Sequence, residues 1–296
     1  MDQKDSNDIS LSSCLSHVPS SDKFHIFLIW RGSAFSLIYQ KAFETVVKFH
    51  PNAEIMLFSN ELKEDWFLSL NKSGNVFVVR YNLMQLVKGR KGWNFAEKAS
   101  RILNGENVKN LKVSSNHLSN FLRLFLLYTF GGLYLDTDMI VLRDLSIYKN
   151  HIGVDDKKSY ICSSNIYSAK GAKNFSCLCN CLLSFEKNHP FIGKALDTFE
   201  SHWSRHQGYG SGGATMLISI IKDYLDIVNV IPNYYWICNK HLNRRFSVVL
   251  KNDSIIEDVV KNCFVLHLYG AGHSSMSIDN FENKLAGRVW NSLYFD

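Results

Sequence analysis

Asp136 and Asp138 stand one residue apart at the end of a short apolar run, Leu133-Tyr134-Leu135, that follows two glycines. In an extended strand side chains alternate between faces, so both carboxylates point one way and Thr137 the other. Two hard oxygen donors aimed at one point suit Mn²⁺ or Mg²⁺. An ion held from one side by protein completes its shell with water and phosphate oxygens, so a diphosphate is the expected ligand. A solvated acidic turn is the plainer explanation. The apolar residues on both sides, with Met139 to Leu142 following, weigh against it.

The elements that must position this pair can be read around it. Leu118, Phe121, Leu122, Phe125 and Leu126 recur at helical spacing and predict a helix over 119–128 with a buried face. Ser114, Ser115 and Asn116 are N-cap candidates, and Gly131 is a C-cap candidate. Asn120, Arg123 and Leu127 share another face of that helix. Arg123 is thus a permanently charged fork on an apolar helix, and burying it unpaired is costly. An acid of the site, or a ligand phosphate or sugar, is its expected partner.

Upstream, apolar β-rich runs at 25–30, 54–59 and 76–81 alternate with a helical pattern at 37–48 and a helical turn at 66–70. This order predicts a mostly parallel, doubly wound sheet whose ligands sit beyond the carboxyl ends of the strands. Trp30 and Asp136–Asp138 both fall at such ends. The basic, glycine-punctuated stretch 88–105 reads as a mobile excursion near the site. After Ser159 the pattern is mixed. It holds short strands, a helix near 191–204, a glycine loop into a helix at 215–224, and strands at 227–231 and 263–268. The region 252–257 and the C-terminal tail carry no clear signal.

The run Leu118-Ser-Asn-Phe-Leu-Arg-Leu-Phe-Leu-Leu-Tyr-Thr-Phe-Gly-Gly-Leu-Tyr-Leu-Asp-Thr-Asp-Met-Ile-Val-Leu142 resembles the signature of the sugar-transferring DXD family. That family includes α-1,4-galactosyl- and α-1,4-N-acetylglucosaminyltransferases and Och1-type mannosyltransferases; the large clostridial glucosylating toxins are distant cousins. An isolated D-x-D is weak, but an Arg-bearing helix, a glycine turn and a carboxylate strand in that order are specific. Phe185-Glu-Lys-Asn-His-Pro-Phe191 is similar to the family's aromatic-acid-x-x-His-Pro segment. Gly210-Ser-Gly-Gly-Ala214 stands where relatives carry a Gly-Pro loop, and Val265-Leu-His267-Leu-Tyr269 where they carry His-x-Trp. Gly213-Ala214 and Tyr269-Gly270 depart from the family pattern.

The resemblance implies an α/β, GT-A-type (Rossmann-like) fold: a mostly parallel sheet flanked by helices, with a mixed α/β C-terminal half. It implies a metal-dependent retaining glycosyltransferase. A hexose would pass from a nucleoside-diphosphate sugar, a UDP-hexose first among them, to a glycan, glycolipid or protein acceptor. Asp136, Asp138 and Arg123 are the expected catalytic residues. Trp30, Asn120, Arg123, Tyr134, Asp136, Asn180, Gly212 and Gly213 are the expected donor contacts, and Asp138, Asp136 and His267 the expected ligands of Mn²⁺ or Mg²⁺. Considered as residues alone, Trp30 and Tyr134 could be core, His267 a satisfied core histidine, and Gly212–Gly213 a tight turn. A catalytically silent protein of the same fold that binds sugar nucleotides or glycans is the competing expectation, and a toxin-like enzyme acting on a protein a third. The Golgi lumen is the compartment the resemblance implies, with a cytoplasmic or secreted enzyme as the alternative.

Bulk properties set the limits. At 296 residues the chain can bury a substantial core. Residues 1–22 are Ser- and Asp-rich and read as a disordered tail, followed by one domain over 23–296 with a nucleotide-sugar half (23–145) and an acceptor half (146–296). The net charge of +6 is compatible with an anionic donor. No basic run interleaved with aromatics suggests nucleic acid, and no window approaches the roughly 18–20 apolar residues of a membrane span. Residues 1–22 also lack the blocks of a signal peptide. Cys177, Cys179 and Cys181 alternate and read as small buried residues rather than a zinc site, which would want a wider spacing. Three Asn-x-Ser sequons, at Asn71, Asn174 and Asn252, are about as many as chance gives in a chain this rich in Asn and Ser. No nucleophile elbow or paired-histidine metal motif is present.

Overall fold

The computed structural model describes residues 11–63, 69–72, 74–154, 178–208, 212–231, 253–268 and 285–295. Most of the helical turn expected at 66–70 lies outside them. So do residues 1–10, the segment 155–177 with the start of the mixed region expected from Ser159 onward, Gly210 and Ser211 of the glycine loop, and Tyr269.

The chain opens its sheet with β1 (His25–Ile29), α1 (Leu37–Phe49), β2 (Glu54–Phe58) and β3 (Val76–Val79). Three helices follow: α2 (Leu83–Val87), α3 (Trp93–Leu103) and α4 (Ser115–Phe130). The carboxylate region lies between β4 (Gly132–Leu135) and β5 (Met139–Val141). Then come β6 (His151–Val154), β7 (Leu178–Phe185), α5 (Pro190–Arg205), α6 (Ala214–Ile220) and β8 (Asn229–Ile231). The chain closes with α7 (Asp253–Asn262), β9 (Val265–His267) and α8 (Leu285–Phe295).

Among the described residues a seven-stranded sheet runs β3-β2-β1-β4-β7-β6-β8. The strands from β3 to β4 are parallel; β7 is antiparallel to both β4 and β6, and β8 is parallel to β6. This is the mostly parallel, helix-flanked sheet expected of a GT-A-type fold. Its strands are buried on both faces, as parallel sheets require. In β1, Phe27 and Ile29 face a core built with α3, α4, α5 and α6, while Ile26 and Leu28 face a second core under α1. A separate ladder joins β5 to β9 antiparallel, with Met139 opposite His267.

One expectation is corrected, and two further regions hold more structure than their sequence signals. The stretch 88–105 is not a mobile excursion: α3 buries Phe95, Ala96 and Ala99 completely. Phe95 packs edge-on against Phe199 and Trp203 of α5. Spacing of i, i+1 and i+4 makes that apolar stripe narrow, and the flanking lysines and glycines hide it. The tail expected at 1–22 has a placed part: Leu15 pairs with Tyr81, and Cys14 and Leu15 are buried. Finally, the regions at 252–257 and the C-terminus, which gave no signal, hold α7 and α8, and Val259 and Val289 are fully buried.

Candidate active site

Helix α4 is built to deliver one charge. Ser114 caps it and His117 reciprocates, so the box uses a histidine in place of the usual Glu or Gln. Gly131 ends it with φ 73°, its N–H donating to the Leu127 carbonyl. A Cβ on Gly131 would lie 2.6 Å from the Lys187 amide, and one on Gly132 would lie 2.4 Å from the His25 carbonyl. Only glycine admits the strand this close to its neighbours. The helix is apolar almost all round because it is sandwiched between sheet and α5.

Arg123 projects from this helix with 5% of its surface exposed. Its Nη1 lies 3.2 Å from Asp136 Oδ1 and donates to the Asn180 carbonyl at 2.5 Å. Nη2 and Nε donate to the Ser119 hydroxyl and carbonyl at 2.9 and 3.2 Å. The guanidinium lies 4.4 Å from the centre of the Tyr134 ring. The partner required for a buried Arg123 is therefore an acid of the site. Tyr134 donates to the same Asp136 oxygen at 2.6 Å. Asn180 Nδ2 donates to Asn120 Oδ1 at 2.8 Å, tying β7 to α4 beside Arg123.

Asp136 and Asp138 are not in an extended strand. β4 ends at Leu135, and residues 136–138 form the tight turn into β5. The Asp136 amide still donates to the Cys181 carbonyl, and the Asp138 carbonyl accepts from the Leu268 amide. The chain thus leaves the main sheet within three residues to join β9, which is why a strand's alternation does not apply. The carboxylates converge all the same. One ligand atom each from Asp136, Asp138 and His267 lies within 4.8 Å of the others. His267 Nε2 is 3.4 Å from Asp138 Oδ2, on side chains 9% and 13% exposed. The Asp136 side chain keeps 29% of its surface.

The electrostatics match this crowding. Lost hydration pushes the Asp136 carboxyl above its ordinary value, and the neighbouring Asp138 adds to the rise; Arg123, the Tyr134 hydroxyl and His267 oppose it. Burial also pushes the Tyr134 hydroxyl well above its ordinary value. A carboxyl that resists ionisation beside a second carboxylate forms a site that gains from a cation. The donor set of two carboxylates and one imidazole fits Mn²⁺ better than Mg²⁺, which prefers an all-oxygen shell.

Not every expected donor contact has surface to offer. Tyr134 is 1% exposed and Asn120 5%, and their side chains bond to Asp136 and Asn180 respectively. Gly212 and Gly213 are buried against α5. The Gly212 amide donates to His202 Nδ1 at 3.3 Å, and a Cβ on Gly212 would meet the Phe199 ring at 2.5 Å. What the structure shows of this loop is close packing, and α6, at seven residues, is too short to make much of its N-terminus. Trp30 follows β1, whose Phe27 is in register with Tyr134, so the indole and the carboxylate turn share one sheet margin. Its Nε1 donates to the Ala34 carbonyl at 3.0 Å, and its ring packs against Phe35 and Tyr39.

Residues that sequence reasoning passed over hold the turn in place. Thr45 Oγ1 accepts from the Val141 amide at 2.8 Å, and His50 Nε2 accepts from the Leu145 amide at 2.9 Å. Both sit on or just after α1 and clamp the strand leaving the carboxylates. Tyr39, also on α1, feels Asp138: burial first, then that negative charge, raise its hydroxyl. An aromatic one turn into the helix after β1 was the available signal for Tyr39; nothing local marks Thr45 or His50.

Residues 38–158 match the family described as glycosyltransferase sugar-binding region containing DXD motif. That match covers less than half of the chain. It is 28% identical over 205 residues to an uncharacterized protein of Arabidopsis thaliana, covering 68% of this chain and 28% of the relative. It is 31% identical over 110 residues to lactosylceramide 4-alpha-galactosyltransferase of Rattus norvegicus, covering 37% of this chain and 25% of that enzyme. The match thus spans about a quarter of each relative's length. A solved structure, the PaToxG glycosyltransferase, superposes with a TM-score of 0.49 at 15% identity, covering 92% of this chain and 86% of that one. Among the described residues no helix is long and apolar enough to cross a membrane.

Proposed function

We propose that this chain is a metal-dependent, retaining hexosyltransferase that uses a UDP-hexose donor and a glycan, glycolipid or protein acceptor. One observation carries the reading: ligand atoms of Asp136, Asp138 and His267 converge at the margin where the parallel strands β1 and β4 end. Bound there, Mn²⁺ would supply Lewis-acid neutralisation of the donor diphosphate. Asp138 and His267 would hold it. Asp136 is kept in orientation by Arg123 and Tyr134, so its second oxygen can face the ion or the ribose. Arg123 balances the Asp136 charge from a buried position, which preorganises the site at no cost during reaction. Trp30 offers an aromatic plane to a nucleotide base. Retention is proposed by resemblance. A glycolipid acceptor and the Golgi lumen are supported by resemblance to the galactosyltransferase branch.

The test is a melting panel with UDP-galactose, UDP-N-acetylglucosamine, UDP-glucose and GDP-mannose, with and without Mn²⁺, followed by donor hydrolysis. A ligand at a hundredfold its Kd stabilises by about 2.7 kcal/mol, which such a panel resolves. The expected result is one UDP-hexose that raises Tm in the presence of Mn²⁺ and is hydrolysed. Binding without hydrolysis would favour the silent binder; no binding by any donor would sink both.

A further inference from the structure

Strand β7 departs from regular geometry where it passes the carboxylate turn. Against β6, Ile152 faces Leu183 but the next residue, Gly153, faces Cys179, so 180–182 bulge out of the ladder. The bulge serves both faces of the strand. Asn180 is aimed at Asn120, and its carbonyl at Arg123. Cys179 and Cys181 are brought to a Cα–Cα distance of 5.3 Å and are joined as a disulfide on the opposite face. A straight strand would hold them about 6.6 Å apart, twice its rise per residue.

These two sulfurs and His267 form a second convergent group, with one ligand atom of each within 4.8 Å of the others. Cys179 is 4% exposed and Cys181 2%, and both pack in the core with Leu133, Leu135 and Val265. We propose that, once reduced, Cys179 and Cys181 join His267 in a buried site for a soft divalent cation such as Zn²⁺, back to back with the carboxylate site. Two equivalents of a monothiol such as glutathione break the Cys179–Cys181 bond. They leave two protein thiols, and the two reductant sulfurs become joined to each other. Zn²⁺ then binds as both thiol protons pass to solvent. Two thiolates and a neutral imidazole cancel the ion's charge, which permits burial in an apolar core. Tetrahedral bonds of about 2.3 Å would set the sulfurs about 3.8 Å apart, a spacing within reach of the strand as it stands. Soft sulfur ligands would reject Mn²⁺, so the two neighbouring groups select different ions, and a neutral His267, with one ligating nitrogen, would serve one of them at a time.

The inference stands apart from the glycosyl-transfer reading, because its readout is metal binding. Co²⁺ serves as the coloured stand-in for Zn²⁺. The whole chain, reduced by a phosphine that is then removed, should develop thiolate-to-Co²⁺ charge-transfer absorption saturating near one equivalent and erased by Zn²⁺. The oxidised chain should show none, a contrast that needs no substitution. Cys179→Ser with Cys181→Ser should abolish the absorption while Mn²⁺ binding persists, and His267→Ala should weaken Co²⁺ binding at least tenfold. Circular dichroism checks that each variant is folded. Absence of the band in reduced wild type, or equal absorption in the oxidised chain or the double serine variant, would overturn the proposal.

Discussion

Asp136 takes a hydrogen bond from Tyr134 and an ion pair from Arg123, both on elements that precede it in the chain. Asp138, two residues on, meets His267, which β9 delivers from near the C-terminus. Asp136 is therefore tied to local architecture, while Asp138 faces a group brought from far away. The difference separates two jobs. A carboxylate gripped by a buried guanidinium contributes to the fold and sets a field. A carboxylate facing an imidazole at a sheet margin is the better placed to surrender an oxygen to an ion.

Substitutions can break this comparison. Asp138→Asn should lower donor turnover by at least about a hundredfold, roughly 2.7 kcal/mol in barrier, while the melting temperature barely moves. Equal losses of activity and stability in that variant would erase the distinction. Arg123→Lys should cost stability as well as turnover. Lysine keeps the charge but cannot donate at once to Asn180, Ser119 and Asp136, so a stability loss of about 2 kcal/mol or more is expected by urea titration. Tyr134→Phe removes one donor to Asp136 and leaves Arg123 in place. About 1 kcal/mol of stability and a severalfold drop in turnover should follow; a hundredfold drop would mean that Tyr134 does more than orient its neighbour.

The smallest effect concerns pH. Burial lowers the His50 pKa from 6.5, against weaker upward pulls from the Val46 carbonyl and Asp144. A group whose folded pKa is depressed binds protons first in the unfolded chain. Its contribution is complete above 6.5 and is withdrawn as pH falls from there through the lower folded value. Wild type should lose stability over that window by at most about 1.4 kcal/mol per pH unit from this group. His50→Gln should start less stable and lose less on acidification. Parallel curves for the two proteins would show that His50 does not titrate with unfolding.

The strongest patterns in the sequence became the elements nearest the site. The Leu118–Leu126 periodicity, the Ser114 cap and Gly131 gave α4, because a helix's spacing, start and stop are all local. The runs at 25–30, 54–59 and 76–81 gave β1 to β3 for the same reason. Helix α3 escaped because Phe95, Ala96 and Ala99 make too thin a stripe among lysines. The antiparallel seat of β7 beside β4, and its bulge, depend on pairing across dozens of residues and leave no local trace. Within the candidate site, Arg123's need for a partner was legible from burial cost alone, though not whether an acid or a ligand would supply it. The convergence of Asp136 and Asp138 was expected for the wrong geometric reason, a strand rather than a turn. His267 came from resemblance, since no spacing rule links it to Asp138.

The β5–β9 ladder also sets an order in time. A ribosome releases Asp136 and Asp138 about 130 residues before His267. At ~5–20 residues per second, that leaves the carboxylate pair without its third partner for roughly 6 to 26 seconds. Through that interval an N-terminal intermediate can complete α4, β4 and the Arg123 brace, yet it cannot assemble the full ion cradle. Assembly of all three side chains would therefore wait for β9, and truncation anywhere before it would leave the proposed cation cradle one ligand short.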